Sequence, residues 1–375
     1  MGKNSSIFKS IKSVRRKSKA IKIGRLYVGA GNPIAIQSMT KTQTKDIPAT
    51  LQQIKELQDV GCEIIRLAIK DLDDAKAIRK IKKFCRLPIV ADIHFDKNLA
   101  IQAIDNGADK IRLNPGNIYK KSEVREIAKA ARQAHIPIRV GVNSGSVKGY
   151  RLGVRSGSNN LAWLMVSCAL DYIRLLEGSK FHNIIVSLKT SDIFNTVEAY
   201  RRIARICDYP LHLGLTATGS PFKGAIKSSI AIGSLLLDGI GDTIRLSLTD
   251  KPQEEVRVAK SILESLGLRH FGPEIISCPT CGRCEVDLIK VVKELELGLS
   301  RLGGRKEYKN TGKPIKAAIM GCIVNGPGEA KQADIGIAFG KKEGLLFKRG
   351  KPLRKVNYKD CIDVLIKEMK TINRN

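Results

Sequence analysis

Aromatic residues are scarce in this chain: one Trp, eight Tyr and nine Phe among 375 residues. No segment interleaves basic residues with aromatics, which argues against nucleic-acid binding by base stacking. The longest apolar stretches, such as Ile230–Ile240, fall well short of the ~20 residues a membrane helix needs. Cysteine is modest at nine, and Cys62, Cys85, Cys168, Cys207 and Cys361 stand singly in apolar or helical settings. Those five read as small buried thiols, and the distribution points to a reducing compartment rather than a disulfide framework. Acids are the last deficit: 36 against 66 Lys and Arg, a net charge of +30. Such an excess attracts anions, although most of it reads as solvated surface. At 43% apolar residues the chain can bury a sizeable core. A soluble cytoplasmic protein with no membrane or nucleic-acid partner is expected.

The N-terminus is the most one-sided segment. Residues 1–25 carry nine Lys or Arg and no acid, and the first acid is Asp46. That composition mimics a transit peptide, and Met1-Gly-Lys-Asn-Ser-Ser fits a loose myristoylation pattern. A flexible basic leader over 1–25 is the simpler reading.

From there, short β-branched runs alternate with helix-period segments. The runs are Ile34–Gln37, Glu63–Ala68, Pro88–Ile93, Asp109–Leu113, Pro137–Val142, Asn183–Leu188, Pro210–Leu215 and Asp242–Leu248. Helices are expected near 48–60, 73–84, 97–107, 121–134, 159–178, 192–207, 223–237 and 252–265. Strand then helix, eight times, is the pattern of a (β/α)8 TIM barrel, here over 26–267. A smaller α/β domain is expected over 268–375. It holds a helix near 286–302, an apolar run Ala317–Ile319, a strand near Ile335–Ala338, a basic hairpin near 341–354 and a closing helix.

TIM barrels place their sites at the C-terminal strand ends, and side chains alternate faces along a strand. Steps of two bring Arg66, Asp92 with His94, Arg112 with Asn114, Arg139 with Asn143, Ser187 with Lys189, His212, and Arg245 with Ser247 toward one rim. Five strands thus offer a cation: Arg66, Arg112, Arg139, Lys189 and Arg245. Burying like charges together is costly without a counter-ion. A polyanion such as a diphosphate, gripped by Arg forks and a Lys, accounts for them.

The remaining cysteines cluster. Cys278, Cys281 and Cys284 form C-x-x-C-x-x-C, and Cys322 sits in Gly321-Cys-Ile-Val-Asn-Gly-Pro-Gly-Glu329. Thiolates at this spacing bind either zinc or an iron–sulfur cluster. A phosphate-binding barrel of the pteroate-synthase type with a structural zinc knuckle is therefore the competing reading.

Ser277-Cys-Pro-Thr-Cys together with that second block resembles the bacterial 4-hydroxy-3-methylbut-2-enyl diphosphate synthases of the non-mevalonate isoprenoid pathway. So do Pro33-Ile-Ala-Ile-Gln-Ser-Met-Thr, Ala91-Asp-Ile-His-Phe-Asp, Ile111-Arg-Leu-Asn-Pro-Gly-Asn, Ile138-Arg-Val-Gly-Val-Asn-Ser-Gly-Ser, Leu211-His-Leu-Gly and Gly239-Ile-Gly-Asp-Thr-Ile-Arg, in the same order. The resemblance implies a reductive enzyme with a 4Fe-4S cluster held by Cys278, Cys281, Cys322 and the oxygen ligand Glu329. A carboxylate suits soft iron poorly and can yield its place. The implied reaction reduces 2-C-methyl-erythritol 2,4-cyclodiphosphate by two electrons, opening the ring and losing water. Arg66, Arg112, Arg139, Asn143, Lys189, Arg245 and Ser247 match diphosphate-binding positions. A flavodoxin or ferredoxin donor and a homodimer are also implied. The chain departs from the family at Thr216-Ala-Thr-Gly219, where a Glu usually stands in place of Ala217. Either Asp92, His94 or a bound water then supplies the proton, or turnover is reduced. Cys284 is an additional thiol, read as a spectator.

Overall fold

The computed structural model describes residues 15–147, 160–302, 314–322 and 333–372. The chain divides into two compact units, Met1–Arg269 and His270–Asn375.

The first unit is a parallel barrel. A short hairpin, β1 (Ile21–Ile23) and β2 (Leu26–Val28), precedes it. The staves are β3 (Ala35–Met39), β4 (Ile64–Ile69), β5 (Ile89–Ile93), β6 (Lys110–Leu113), β7 (Ile138–Asn143), β8 (Ile184–Lys189), β9 (His212–Leu213) and β10 (Thr243–Ile244). They lie in the order β8-β7-β6-β5-β4-β3-β10-β9. A parallel bridge between Val186 and Leu211 joins the two ends of that order. The eight-stranded TIM barrel is thus present, with β9 and β10 paired over shorter stretches than the apolar runs predict.

Helices follow the strands: α1 (Ile47–Asp59), α2 (Leu72–Phe84), α3 (Lys97–Asp105), α4 (Lys121–Gln133), α5 (Leu161–Gly178), α6 (Ile193–Ile206), α7 (Pro221–Leu237) and α8 (Pro252–Ser265). Several of the scarce acids sit at their starts. Asp46, Asp71, Asp96 and Asp192 each accept a backbone N–H in the first turn of α1, α2, α3 and α6. A side-chain acceptor there satisfies an orphan donor and suits the positive end of the helix dipole.

The floor of the barrel is apolar. Ile21, Ile23 and Val28 of the hairpin pack on the inward residues Ala35, Ile64, Val90 and Ile185. The expected flexible leader is therefore corrected at its C-terminal end. Ile21-Lys22-Ile23 alternates buried, exposed, buried, the period of a half-buried strand. Arg15 and Arg16 approach Asp242 at 3.4 and 3.8 Å, and Arg16 also donates to the Cys207 carbonyl. Residues 1–14 of the leader lie outside the described residues.

The second unit is a five-stranded sheet in the order β11 (Glu274–Ser277), β12 (Lys316–Met320), β13 (Ile335–Phe339), β14 (Glu343–Lys348), β15 (Lys351–Asn357). The first three strands are parallel and the last two antiparallel. Leu288, Val291 and Leu295 of α9 (Leu288–Leu302) and Leu365 and Met369 of α10 (Cys361–Ile372) bury their apolar faces on it. The cysteine segment opens on a strand that the sequence does not announce, β11, whose residues are only half-buried or exposed. Among the described residues no helix is long and apolar enough to cross a membrane.

The floor packing is testable. Ile23 is fully buried, so Ile23→Ala should destabilise the chain by about 2–5 kcal/mol, read as a lower urea midpoint. Lys22→Ala, one residue away and exposed, should shift that midpoint little.

Candidate active site

Two residues beyond each floor residue the inward face turns polar. Ala35 gives way to Gln37, Ile64 to Arg66, Val90 to Asp92 and Ile185 to Ser187. This follows from strand alternation. The strand registers place Asp92 beside Arg112, and Arg112 beside Arg139.

Asp92 is the anchor. Its carboxylate accepts from Arg66 Nη2 at 2.6 Å and from Arg112 Nη1 at 3.4 Å, and lies 3.1 Å from His94 Nε2. Burial opposes its ionisation, but Arg66, His94 and Arg112 outweigh burial and hold the carboxyl well below the usual carboxylate range. A second acid, Glu255 on α8, is fully buried and accepts from Arg245 Nη2 at 3.4 Å and from the Leu248 backbone N–H at 3.1 Å. Arg245 also donates to Ser247 Oγ at 2.8 Å.

Two glycines make room for these side chains. A Cβ at Gly141 would stand 2.7 Å from Arg112 Nε, and one at Gly214 would stand 2.7 Å from Lys189 Nζ. Lys189 reaches His212 Nε2 at 3.2 Å, and His212 Nδ1 lies 2.7 Å from Thr243 Oγ1. Lys189 as donor and a neutral ring donating from Nδ1 satisfy both contacts. Burial, then the neighbouring Lys189 and Arg139, push the His212 ring well below its ordinary value.

The arrangement is short of negative charge. Arg66, Lys110, Arg112, Arg139, Lys189 and Arg245 share the interior, while among the described residues only Asp92 and Glu255 pair with any of them. Burial and the nearby cations Arg66 and Arg112 hold Arg139 well below its ordinary value, and burial pushes Arg112 down to about 10. Among the described residues Arg66 Nε, Arg112 Nε, Arg139 Nε and Nη1, and Arg245 Nε are buried with no hydrogen-bond partner. Each buried donor left unpaired costs about 1–3 kcal/mol. A polyanion would satisfy the donors and the charge together.

All seven predicted substrate positions thus lie on barrel strands or directly beyond them, and six of them line this interior or its rim. Asn143, at the end of β7, is half-buried, and its carbonyl accepts from Ser146 Oγ. His94 is half-exposed beside Asp92, with Asn117 Nδ2 3.4 Å from its Nδ1. Ala217 occupies a left-handed backbone conformation, φ +50°, in the loop after β9. Gln37, Lys110 and Glu255 also reach this interior and are not among the expected site residues. Gln37 and Lys110 carried a signal, since each lies two residues from an inward position. Glu255 did not, because an acid in the first turn of a helix reads as a dipole partner.

In the second unit β11 delivers Cys278, and β12 ends at Met320 beside Gly321 and Cys322. The Gly321 N–H donates to Cys278 Sγ at 3.3 Å. Cys284 turns toward the same backbone: a Cβ at Gly321 would meet its Sγ at 2.4 Å. Cys281 is exposed and Cys322 half-buried. Among the described residues no three His, Cys, Asp or Glu side chains converge tightly enough to hold a single metal ion. Glu329 lies outside the described residues. The donors present are soft thiols, one already taking a backbone N–H, which fits iron–sulfur ligation.

Comparison with known proteins agrees with this division. The GcpE TIM-barrel domain matches residues 18–260 and the GcpE protein C-terminal domain matches 274–371. A relative from Caldicellulosiruptor saccharolyticus, 4-hydroxy-3-methylbut-2-en-1-yl diphosphate synthase (flavodoxin), is 55% identical over 94% of this chain and 98% of its own. A protein of the same name from Clostridium perfringens is 48% identical over 96% of this chain and 99% of its own. Among solved structures, Yersinia pestis dihydropteroate synthase is 10% identical over 66% of this chain and 98% of that one, with a TM-score of 0.49. That likeness is too distant to carry an argument. With both family domains in order and close relatives along nearly its whole length, the chain belongs to the GcpE family.

Proposed function

We propose that this chain is a flavodoxin-dependent iron–sulfur oxidoreductase that converts 2-C-methyl-D-erythritol 2,4-cyclodiphosphate to (E)-4-hydroxy-3-methylbut-2-enyl diphosphate. The observation that carries the reading is the set of unpartnered guanidinium donors inside a barrel with six basic side chains and two paired acids. The overall change consumes two electrons and two protons. A ring C–O bond to phosphate breaks, a C=C bond forms and one hydroxyl departs as water.

Arg66, Arg112, Arg139, Lys189, Arg245 and Ser247, with Asn143, bind the diphosphate. Planar Arg forks match phosphate oxygens in pairs. Once seated, the ring is held in one orientation, which contributes by proximity. Asp92 is ionised throughout the ordinary pH range and fixes Arg66 and Arg112, so it orients rather than donates. His94 is assigned the proton delivery, a reading supported by its half-exposed position at the rim and its contact with Asp92. Cys278, Cys281, Cys322 and Glu329 would hold a 4Fe-4S cluster. When bound, that cluster supplies electrons one at a time and a Lewis-acidic iron for a substrate oxygen. The cytoplasm suits nine cysteines, none of them in a disulfide, and a flavodoxin or ferredoxin donor. A homodimer is supported by the exposed row Phe222, Ile226 and Ile230 along α7.

Three outcomes follow. Anaerobically purified chain should contain about four irons and four sulfides, and Cys322→Ser should lose them together with the visible absorption. One zinc and no sulfide after anaerobic reconstitution would instead support the zinc-knuckle barrel. Arg139→Met should lower kcat/KM for the cyclic diphosphate about 10- to 100-fold, the scale of one lost charge-assisted contact, with iron content unchanged. Asp92→Asn should cost about 3–5 kcal/mol of stability, because the buried Arg112 and the largely buried Arg66 lose their charge partner. The folded-state pKa of Asp92 is depressed, so its contribution is intact above the usual carboxylate range. It should be lost only as pH falls below that range, visible as an acid unfolding limb that Asp92→Asn flattens.

A further inference from the structure

Lys110 is the cation that the diphosphate reading does not use. It opens β6 and points inward, two residues before Arg112 on the same face. That spacing sets it about 7 Å lower in the barrel. Its side chain is fully buried, next to the apolar floor. An ammonium carries three donors, yet among the described residues the one hydrogen bond it makes is to Gln37 Oε1 at 3.4 Å. Among the described residues no carboxylate lies within salt-bridge range of it, and Asp92 is taken by Arg66, Arg112 and His94.

The charged and titratable groups sharing the interior with it come from every other stave but β3, which offers only Gln37. They are Arg66 of β4, Asp92 of β5, Arg112 of β6 itself, Arg139 of β7, Lys189 of β8, His212 of β9, and Arg245 just beyond β10, with Glu255 of α8 paired to Arg245. Five of these are permanent or potential cations besides His212, and two are acids, each already paired with arginine. A dry site crowded by like charge disfavours a further positive charge. Burial, Arg139 and Arg66 all push Lys110 well below its ordinary value.

We propose that Lys110 is uncharged when no anion is bound in the barrel and takes up one proton when a diphosphate binds above it. The inference rests on the diphosphate reading of the site. Its chemistry is simple: the incoming negative charge offsets Arg66, Arg112 and Arg139, and an ammonium at Lys110 becomes favourable. The proton comes from solvent. Lys110 then acts as a positioning residue that adds a charge beneath the ligand only when the ligand is present. The linkage has a sign. A group whose proton affinity rises on binding makes binding weaken as pH increases through the window between its two pKa values.

The test is calorimetry of inorganic pyrophosphate binding to the anaerobic full chain near pH 8, in two buffers of different ionisation enthalpy. Pyrophosphate's own protonation is subtracted. Wild type should take up about one proton per site, and its affinity should fall by up to about tenfold per pH unit. Lys110→Met should still bind pyrophosphate, take up none and lose that pH slope. Lys110→Arg, permanently charged, should also take up none. Binding with no proton uptake in wild type overturns the inference without need of any variant. Uptake that persists in Lys110→Met also overturns it, and moves the proton to the Lys189–His212 pair. No binding of pyrophosphate at all would overturn the diphosphate reading itself, and this inference with it.

Discussion

A cluster of cations withdrawn from water is the constraint around which the first unit is built. Six basic side chains crowd one barrel, and burial disfavours the charged form of Lys110, Arg112, Arg139, Lys189 and Arg245. Every other feature of the interior answers that cost. Asp92 is committed to two arginines and a histidine. Glu255 reaches in from a helix to Arg245. Gly141 and Gly214 give up side chains so that Arg112 and Lys189 fit. His212 is kept neutral so that it can accept from Lys189. What remains unsatisfied is a set of N–H donors, and these define the ligand by what they need: a compact polyanion.

The apolar floor is the counterpart of that polar chamber. Ile21, Ile23 and Val28 pack across the bottom of the barrel, on the side of the charged layer away from the C-terminal strand ends. A barrel open at both ends would let water solvate the arginines and weaken every contact they make to an anion. The hairpin that forms the floor thus covers that side of the charged layer with apolar side chains.

Much of this was legible in the sequence, for identifiable reasons. Strand–helix alternation repeats eight times, and helix boundaries fall within two or three residues because Asp and Pro mark their starts, as at Asp192 and Pro252. The inward cations follow from steps of two along strands whose other positions are apolar. The misses also have causes. Ile21 and Ile23 are strand-like, but the basic composition around them reads as a free leader. Lys110 follows an acid at the start of a strand and looks solvated, although its distance from Arg112 puts it inside. Glu274–Ser277 is a half-exposed edge strand without alternation, so only pairing with Lys316–Ile319 reveals it. The thiols could be assigned as metal ligands by spacing, but spacing alone left zinc and iron–sulfur equal.

The central claim is that the unpartnered arginines are a diphosphate cage. It is tested most directly by a crystal structure of the anaerobic protein with the cyclic diphosphate bound. The account predicts phosphate oxygens within hydrogen-bond distance of Arg112, Arg139 and Lys189, with Arg139 Nε or Nη1 newly paired. A diphosphate bound elsewhere, with those guanidinium nitrogens still unpaired or bonded only to water, would contradict it.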